Sequence, residues 1–411
     1  MTNGGFKKRT VRDVPLRGKT VLVRADYNVP LTEKGEIADD FRVVSSIPTL
    51  QYLIEQQCKI VICSHLGRPD GKVDERYTLE PVAERLSKLL KTPVGFVSEC
   101  VGDKVKQATK RLRGGEVLLL ENLRYHAGEE ANDTNFAKLL AVDSGAEYFV
   151  QDGFGVVHRA HASTSAVTQY LPSVAGLLLE KEYVAIRTSM DHPKPPLVAV
   201  LGGAKISDKI AIIEKFVAIA DTIIIGGAMA NTFLKAKGKP VGKSVHEDGL
   251  GGVIDKIYAA AEKKVGEDNV DDFIVLPRDV AVATAMNGTA RRMSVMVEDV
   301  ADDELILDIG PESIARAVAI IKEAKTVVWN GTLGYAEVPQ FSHGSARLAL
   351  ALATHPEVMS VIGGGDTADF VLKWDAESGG SFSHVSTGGG ASLDLMAGAP
   401  MPGIDALLDV K

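Results

Sequence analysis

Arginine and histidine side chains follow several short apolar runs in the first half of the sequence. The positions are Arg24, Arg42, His65, Arg68, Arg124, His158, Arg159 and His161. A planar guanidinium offers paired donors that match two oxygens of a phosphate or carboxylate at once. Ion pairing with neighbouring acids explains any one of these arginines, but it does not explain their concentration after apolar runs. The first half is therefore predicted to bind a small, multiply anionic ligand.

Two further groups in this half are harder to interpret. Asp26 and Asn28 lie two residues apart in VRADYNVP, so on a strand they share a face and could hold substrate hydroxyls. A turn-forming role just before Pro30 explains them equally well. The segment HRAH at 158–161 invites a zinc site, but it has neither the Glu of helical zinc motifs nor a cysteine pair nearby. Zinc is therefore not expected.

The second half repeats a strand-like run that ends in two or three glycines. The examples are LGGAKISDK at 201–209, VIGGGDTADF at 361–370 and STGGGASLDLM at 386–396. Glycine lets backbone N–H groups approach a ligand, and a helix N-terminus attracts anions. Lys205 and Lys209 add positive charge to the first motif, and Asp366 in the second suits Mg²⁺. The pattern predicts a polyphosphate site, although a tight turn with solvated lysines also explains the first motif taken alone.

Other features exclude several classes of protein. The segment GKPVGKS at 238–244 has three residues between its glycines where a P-loop requires four, and no glycine motif fits a dinucleotide fingerprint. The net charge of −8 argues against a dedicated nucleic-acid binder. The 3 cysteines are too few for a disulfide framework, and we find no secretory signal or membrane-length apolar run. We expect a cytoplasmic protein with no membrane or nucleic-acid partner.

Short runs rich in Val, Ile and Leu must position these groups. They occupy residues 21–28, 59–65, 94–99, 116–122, 148–153, 196–203, 222–227, 273–277, 305–310, 326–331 and 358–365. Such runs are typical of strands buried on both faces of a parallel sheet. Helical patterns at 81–90, 208–220, 253–264 and 311–324 alternate with them. The alternation predicts an α/β fold with open parallel sheets, which bind ligands at the carboxyl ends of their strands.

The sequence divides near its middle. A helical stretch at 177–190 is followed by the proline-rich segment DHPKPP at 191–196, where a helix must stop. We expect an N-terminal domain over 1–177, a connecting helix and hinge over 178–195, and a C-terminal domain over 196–395. The remaining tail, 396–411, is too short to be a domain and must dock elsewhere.

The two halves together suggest phosphoryl transfer between a nucleotide and a small acid. This reaction needs positioning and charge neutralisation more than a covalent nucleophile, and the sequence offers no Ser–His–Asp or Cys–His arrangement. The alternative is a non-catalytic two-domain protein that closes on a metabolite. An oxidoreductase is disfavoured because the dinucleotide fingerprint is missing.

A series of motifs, spread from residue 21 to residue 392, resembles the phosphoglycerate kinase family over essentially the whole chain. In order they are VLVRADYNVP, SHLGRP, LENLRYH, FG-x-x-HRAH, LGGAKISDK, DIGPES, WNG-x-x-G, IGGGDT and HVSTGGGAS. The resemblance implies two similar-sized Rossmann-like α/β domains with parallel sheets, joined by a hinge helix. It also implies that the tail at 396–411 returns to the N-terminal domain.

The resemblance implies reversible phosphoryl transfer between 1,3-bisphosphoglycerate and ADP, with Mg²⁺ on the nucleotide, giving 3-phosphoglycerate and ATP. The implied binding residues for the glycerate ligand are Asp26, Tyr27, Asn28, Arg42, His65, Leu66, Gly67, Arg68, Arg124 and Arg159. Those for the nucleotide are Lys209, Glu337 on the ribose, Gly364, Gly365, Asp366 near the metal, and Thr367. The implied catalytic set is Arg42, Lys205, Gly388, Gly389 and Gly390. A monomer is expected.

Four departures from the family pattern are visible. Ile306 stands where the family has a glycine, two residues before the Asp of DIGP, and Thr332 replaces the proline of WNGP. The family's VFE is YAE at 335–337, and its DAFG is DGFG at 152–155. None of them removes a charged residue of the implied site. The departures therefore bear on the adenine pocket and the choice of base, not on the reaction.

Overall fold

The computed structural model describes residues 5–410, which divide into two compact units. Unit 1 comprises the chain up to Val184 together with the stretch that begins at Gly398, and unit 2 comprises Ala185–Ala397. The division falls inside a single helix, Leu177–Asp191, which occupies the stretch where the sequence predicts one at 177–190.

Unit 1 is built on one six-stranded sheet in which every pairing is parallel. Its strands are β1 (Thr20–Arg24), β2 (Lys59–Cys63), β3 (Val94–Val97), β4 (Val117–Leu120), β5 (Tyr148–Gln151) and β6 (Ser173–Ala175), in the order β3-β4-β2-β1-β5-β6. The helices are α1 (Phe41–Glu55), α2 (Glu80–Leu90), α3 (Asp103–Arg111), α4 (Ala127–Glu130), α5 (Thr134–Asp143) and α6 (Leu177–Asp191). The predicted α/β class is confirmed.

Both faces of this sheet are buried, which explains the continuous apolar runs. Val21 and Val23 of β1 belong to one hydrophobic cluster, whereas Leu22 between them belongs to a second. The same alternation divides β2, where Ile60 and Ile62 share the first cluster. Successive side chains of a strand point to opposite faces, so helices must cover both sides of the sheet.

Unit 2 contains a second six-stranded parallel sheet and a small antiparallel one. Its strands are β7 (Leu197–Leu201), β8 (Thr222–Ile225), β9 (Ile274–Val275), β10 (Asp279–Ala283), β11 (Met293–Met296), β12 (Leu305–Ile309), β13 (Thr326–Asn330), β14 (Met359–Gly363) and β15 (His384–Val385). The helices are α7 (Ile210–Ile219), α8 (Gly227–Ala236), α9 (Gly251–Val265), α10 (Val270–Phe273), α11 (Pro311–Glu323), α12 (His343–Ala353), α13 (Gly365–Trp374) and α14 (Gly390–Ala397). The parallel sheet has the order β15-β14-β13-β7-β8-β9.

Two expectations for unit 2 are wrong in detail. The run at 305–310 was expected in a parallel sheet, but β12 pairs antiparallel with β10, which also pairs antiparallel with β11. An apolar run reports burial and not the direction of its neighbours, so the pattern could not distinguish these cases. The helix predicted from residue 208 begins only at Ile210, with Lys209 as its N-cap residue. Residues 202–209 therefore form a turn that precedes the helix.

The C-terminal tail packs within unit 1. It contains the short helix α15 (Pro402–Asp405), and the side chains of Met401, Ile404 and Leu407 are buried. Backbone hydrogen bonds join Arg9 N to Leu408 O at 2.8 Å and Leu408 N to Ser173 O at 3.0 Å. Across residues 5–410, none of the helices is long and apolar enough to cross a membrane.

Candidate active site

The carboxyl ends of neighbouring strands in unit 1 carry the basic residues that the sequence singled out. Arg24 is the last residue of β1, His65 follows β2 by two residues, and Arg124 lies in a 3₁₀ turn after β4. Arg42 lies in the first turn of α1. Because β4, β2, β1 and β5 are adjacent in the sheet, these positions share one edge, and the order of the strands explains their grouping.

Asp26, Asn28 and Arg42 form one hydrogen-bonded group at this edge. The Arg42 guanidinium donates from Nη1 to Asp26 Oδ2 at 3.0 Å and to the backbone oxygen of Asn28 at 3.1 Å. The Asn28 side-chain oxygen accepts from the Gly67 N–H at 2.8 Å. Asp26 and Asn28 thus orient Arg42 and the turn at Gly67, a role in addition to the turn-forming and hydroxyl-binding roles that the sequence left open.

Beneath this group lies a buried ionic network centred on Arg24, whose side chain is only 1% exposed. The guanidinium donates from Nε to Ser163 Oγ at 2.7 Å and to the backbone oxygen of Ala25. Ser163 donates in turn to the Glu129 carboxylate, from Oγ at 2.6 Å and from N at 3.0 Å. The Arg24 Nη2 to Glu129 Oε1 distance is 3.8 Å. Burial raises the pKa of Glu129, and the charge of Arg24 opposes that shift.

His65 is buried within this positive environment. Burial, followed by the charges of Arg24, Arg124 and Arg42, holds its pKa well below its usual range. The Arg24 Nη2 to His65 Nδ1 distance is 3.2 Å, and a guanidinium can only donate. A neutral His65 that accepts at Nδ1 carries its proton on Nε2. The ring therefore has an N–H donor that does not depend on pH near neutrality.

The remaining predicted residues of unit 1 differ in accessibility. Arg68 and Arg159 are exposed, and Arg159 Nε lies 3.1 Å from His158 Nε2. Arg124 is largely buried, donates to the Gly67 backbone oxygen at 2.8 Å and pairs with Glu130 at 3.2 Å. The side chains of Tyr27 and Leu66 lie in the hydrophobic core, and the Tyr27 hydroxyl contacts Ser46 Oγ at 2.9 Å. These two can present only their backbone to a ligand.

In unit 2, the turns that follow β7, β8 and β13 pack backbone against backbone. Gly202 N donates to Asn330 O at 2.9 Å, Gly203 N to Thr332 O at 3.1 Å, and Gly227 N to Leu333 O at 2.9 Å. A Cβ atom on Gly202 or Gly331 would collide with the opposite backbone. Glycine at these positions therefore lets adjacent strand ends meet closely, which explains part of the glycine pattern without any ligand.

Lys209 and Thr367 support the same turns. Lys209 Nζ donates to Gly202 O at 2.7 Å and to Asn330 O at 3.2 Å, and burial lowers the pKa of this ammonium group to about 8. The charge of Asp366 acts in the opposite direction. Thr367 is 1% exposed, and its hydroxyl accepts from Gly331 N at 2.7 Å. Thr367 thus positions the turn after β13.

A cavity of about 240 Å³ opens beside these turns. Apolar side chains supply most of its lining, among them Val245, Leu307 and Ile306, the residue that replaces the family's glycine. Glu337 and Asp366 provide carboxylates, and Gly203 and Gly227 provide backbone. A flat, largely apolar ring with polar groups at its margin matches this lining.

The other predicted residues of unit 2 surround the strand ends. Gly364 precedes α13, while Gly365 and Asp366 are its first two residues and are exposed. Gly388 and Gly389 precede α14, which begins at Gly390. Lys205 is exposed on the turn before α7. Among the described residues, no three His, Cys, Asp or Glu side chains are grouped to hold a metal ion by themselves.

Several residues that shape these edges were missed at the level of sequence. Arg24 is predicted with the anion-binding arginines, but its side chain is 1% exposed and bonds to protein groups instead. Glu129 and Ser163 are not singled out, because nothing in their spacing distinguishes them from ordinary polar residues. Asp308 also lines the cavity, and burial raises its pKa to about 7. Glu247 contacts the turn that carries Lys205. The four ionisable residues among them contact other groups of the protein. A search for ligand-binding motifs does not detect such contacts.

Comparison with known proteins identifies the family of the chain. The family model described as phosphoglycerate kinase matches residues 11–399. A phosphoglycerate kinase of Pelotomaculum thermopropionicum is 45% identical over 98% of this chain and 99% of its own length. One from Thermosynechococcus vestitus is 47% identical over 96% of each chain.

Solved structures give the same result. The phosphoglycerate kinase of Coxiella burnetii superposes with a TM-score of 0.82 at 37% identity, covering 97% of this chain and 98% of that one. The Pyrococcus horikoshii enzyme gives 0.83 at 32% identity with the same coverage. The family model, the relatives in sequence and the solved structures agree, and the chain belongs to the phosphoglycerate kinase family.

Proposed function

We propose that the arginine-rich edge of unit 1 binds 3-phosphoglycerate or 1,3-bisphosphoglycerate. The observation that carries this assignment is the grouping of Arg42, Arg124 and a neutral His65 at one edge of the sheet. Arginine suits both the phosphate and the carboxylate of such a ligand, and His65 Nε2–H adds a neutral donor. Arg68 and Arg159, both exposed, would complete the anion site.

The edge of unit 2 would bind ATP or ADP. The base would enter the apolar cavity beside Ile306, Glu337 would accept from the ribose, and Lys209 with the turn at 364–367 would hold the phosphates. Mg²⁺ fits the exposed Asp366 carboxylate at this cavity, because the ion usually keeps several waters and binds through one or two carboxylates together with substrate phosphates. When bound, it would neutralise phosphate charge.

The transfer would rely on positioning and charge neutralisation. Arg42 and Lys205 would face the transferring group, with the backbone at 388–390 as a further donor set. The acceptor oxygen belongs to a carboxylate or a phosphate, so no general base is required. The two ligands must meet with water excluded, which favours hinge motion and closure as part of the cycle. The comparisons give the non-catalytic alternative no support.

A coupled assay with 3-phosphoglycerate and MgATP tests the catalytic assignment. We expect Arg42→Ala and Lys205→Ala each to lower kcat by about 10²-fold or more, the effect of removing one preorganised charge from a transition state. Arg111→Ala and Lys243→Ala, both exposed elsewhere, are matched controls that should keep full activity. Turnover at the parental rate in both Arg42→Ala and Lys205→Ala would contradict the mechanism.

Calorimetric titration tests which edge binds which ligand. Arg68→Ala should weaken binding of 3-phosphoglycerate by about 10-fold or more, because a charge-assisted hydrogen bond is lost, and should leave MgADP binding unchanged. Lys209→Met should weaken binding of MgADP and leave binding of 3-phosphoglycerate unchanged. If both variants weakened the same ligand, the assignment of the edges would be wrong.

A further inference from the structure

The turn between β7 and α7 is held by a carboxylate from a distant part of the chain. Glu247 Oε2 accepts from Ile206 N at 2.5 Å and from Ser207 N at 3.1 Å. Its other oxygen, Oε1, accepts from Ser207 Oγ at 2.6 Å. One side chain thus receives both consecutive backbone N–H groups and the adjacent hydroxyl. The backbone donors of Ile206 and Ser207 are therefore satisfied within the protein.

Glu247 is itself attached to rigid parts of unit 2. Its backbone N donates to Thr232 Oγ1 in α8 at 3.1 Å. Two residues earlier, the Val245 backbone oxygen accepts from Asn231 Nδ2, also in α8, at 3.1 Å. Ser244 Oγ accepts from the backbone N of Ile306 in β12 at 2.7 Å. Segment 244–247 therefore joins α8 and β12 to the turn at 205–207.

The contacts of this segment restrict the backbone on which Lys205 is mounted. The Ile206 side chain is fully buried and anchors the turn, while Glu247 binds the N–H groups of Ile206 and Ser207. Lys205, between Gly203 and this anchored pair, remains exposed. Hydrogen bonds to Ser207 and Ile206 and the charge of Lys205 lower the pKa of Glu247, so the acceptor is a carboxylate throughout the neutral range.

We propose that Glu247 is a positioning residue for Lys205, fixing the turn at 205–207 so that the ammonium group is presented in one place. The inference rests on the function proposed above, in which Lys205 neutralises the transferring phosphoryl group. Segment 244–247 also carries Val245, which lines the nucleotide cavity together with Asn231 and Ile306. The position of Lys205 is thus connected to the walls that would contact the base.

Amide hydrogen exchange tests the structural part without any assay of activity. In Glu247→Gln, exchange in the peptide that covers residues 203–210 should rise by about 10-fold, since local opening costs less once the charged acceptor is removed. Ser207→Ala, which removes one of the three hydrogen bonds, should give an intermediate increase. Asp248→Asn is the matched control, because Asp248 is exposed and pairs with Lys235 at 2.8 Å. Unchanged exchange in Glu247→Gln would overturn the proposal.

Kinetics test the positioning role. Glu247→Gln should lower kcat by about 10-fold while KM for 3-phosphoglycerate and for MgATP changes by less than about 2-fold, because misplacement of a transition-state group affects kcat first. A Glu247→Gln enzyme that binds inorganic phosphate more tightly and keeps its kcat would instead make Glu247 a competitor of the ligand, contrary to the proposal. If Lys205→Ala kept full activity, the assigned role of Lys205 would fail, while the exchange result would still decide whether Glu247 holds the turn.

Discussion

Burial makes the charge of Lys209 sensitive to pH near neutrality. Its pKa of about 8 is below that of an ordinary lysine because the ammonium group is desolvated, so the residue is charged below this pH and neutral above it. We predict that the parental protein binds MgADP more tightly than Lys209→Met does. This difference in affinity should be largest below pH 8 and disappear above it. Calorimetric titration of both proteins from about pH 6.5 to 9.5 measures the ratio of the two affinities.

Lys209→Arg is the control for this prediction, because a guanidinium stays charged over the whole range. Its affinity ratio to Lys209→Met should be independent of pH. Using ratios removes the titration of the phosphates, which is common to all three proteins. A parental ratio that remains constant up to pH 9.5 would show that the Lys209 charge does not contribute to binding.

Residue type and spacing revealed the charged groups at both edges but not their surroundings. Arg42 and Lys209 could be selected from the sequence because arginine and lysine after strands suggest anion binding. Their hydrogen bonds to Asp26, Gly202 and Asn330 depend on packing between segments far apart in the chain. Tyr27 is a second example: it follows Asp26 in the sequence, but its side chain lies in the hydrophobic core, which the sequence does not indicate.

Hydrophobic patterning predicted the parallel strands among the elements, because a strand buried on both faces is a short continuous apolar run that can be recognised by its length. It failed for β12, whose apolar run matches the others while its neighbours are antiparallel. It also failed for the start of α7, where the turn at 205–207 is fixed by Glu247 rather than by local propensity. Elements determined by their own sequence were predictable, and those determined by a distant partner were not.

The start of α6 depends on a buried carboxyl group. Asp152 Oδ1 accepts from Leu178 N at 3.0 Å, and burial raises the pKa of Asp152 to about 7. The native state therefore retains a proton that the unfolded chain releases from about pH 4 upward. The protonated Asp152 carboxyl therefore stabilises the native state fully below that pH, and this stabilisation is lost as the pH rises through 7.

We predict that Asp152→Asn removes this pH dependence while keeping the acceptor for Leu178. Between about pH 4 and 7, the unfolding free energy of the parental protein should fall relative to Asp152→Asn by about 1.4 kcal/mol per pH unit. Urea unfolding followed by circular dichroism at several pH values measures the difference. Asp255→Asn, at an exposed position in α9, is the control. Parallel stability profiles for the parental protein and Asp152→Asn would contradict the prediction.

At the scale of the whole molecule, the net charge of −8 conceals a local concentration of arginine. Arg24, Arg42, Arg124 and Arg159 act electrostatically on one another or on His65 and His161, all at one edge of unit 1. In the function proposed above, such a local field would attract anionic metabolites. The net charge of the whole chain therefore does not describe the charge of this edge, which the positions of the arginines predict.

Unit 1 is assembled from both ends of the chain, so its stability should depend on the last residues. Leu407 is 3% exposed and packs within unit 1, whereas its neighbour Leu408 is 40% exposed. We predict that Leu407→Ala lowers the stability of unit 1 by about 2–4 kcal/mol, the cost of emptying a buried leucine site. Leu408→Ala, which removes the same atoms from an exposed position, should cost less than about 0.5 kcal/mol.

Differential scanning calorimetry compares the two leucine variants directly. For a unit of this size, the loss in Leu407→Ala corresponds to a fall of about 4–16 °C in the transition temperature of unit 1. The backbone hydrogen bonds from Arg9 N to Leu408 O and from Val410 N to Lys7 O remain possible in both variants, so the comparison isolates side-chain burial. If Leu407→Ala and Leu408→Ala lowered the transition equally, the tail would contribute through its backbone contacts and the ion pair of Lys8 with Asp409 instead of through its apolar side chains.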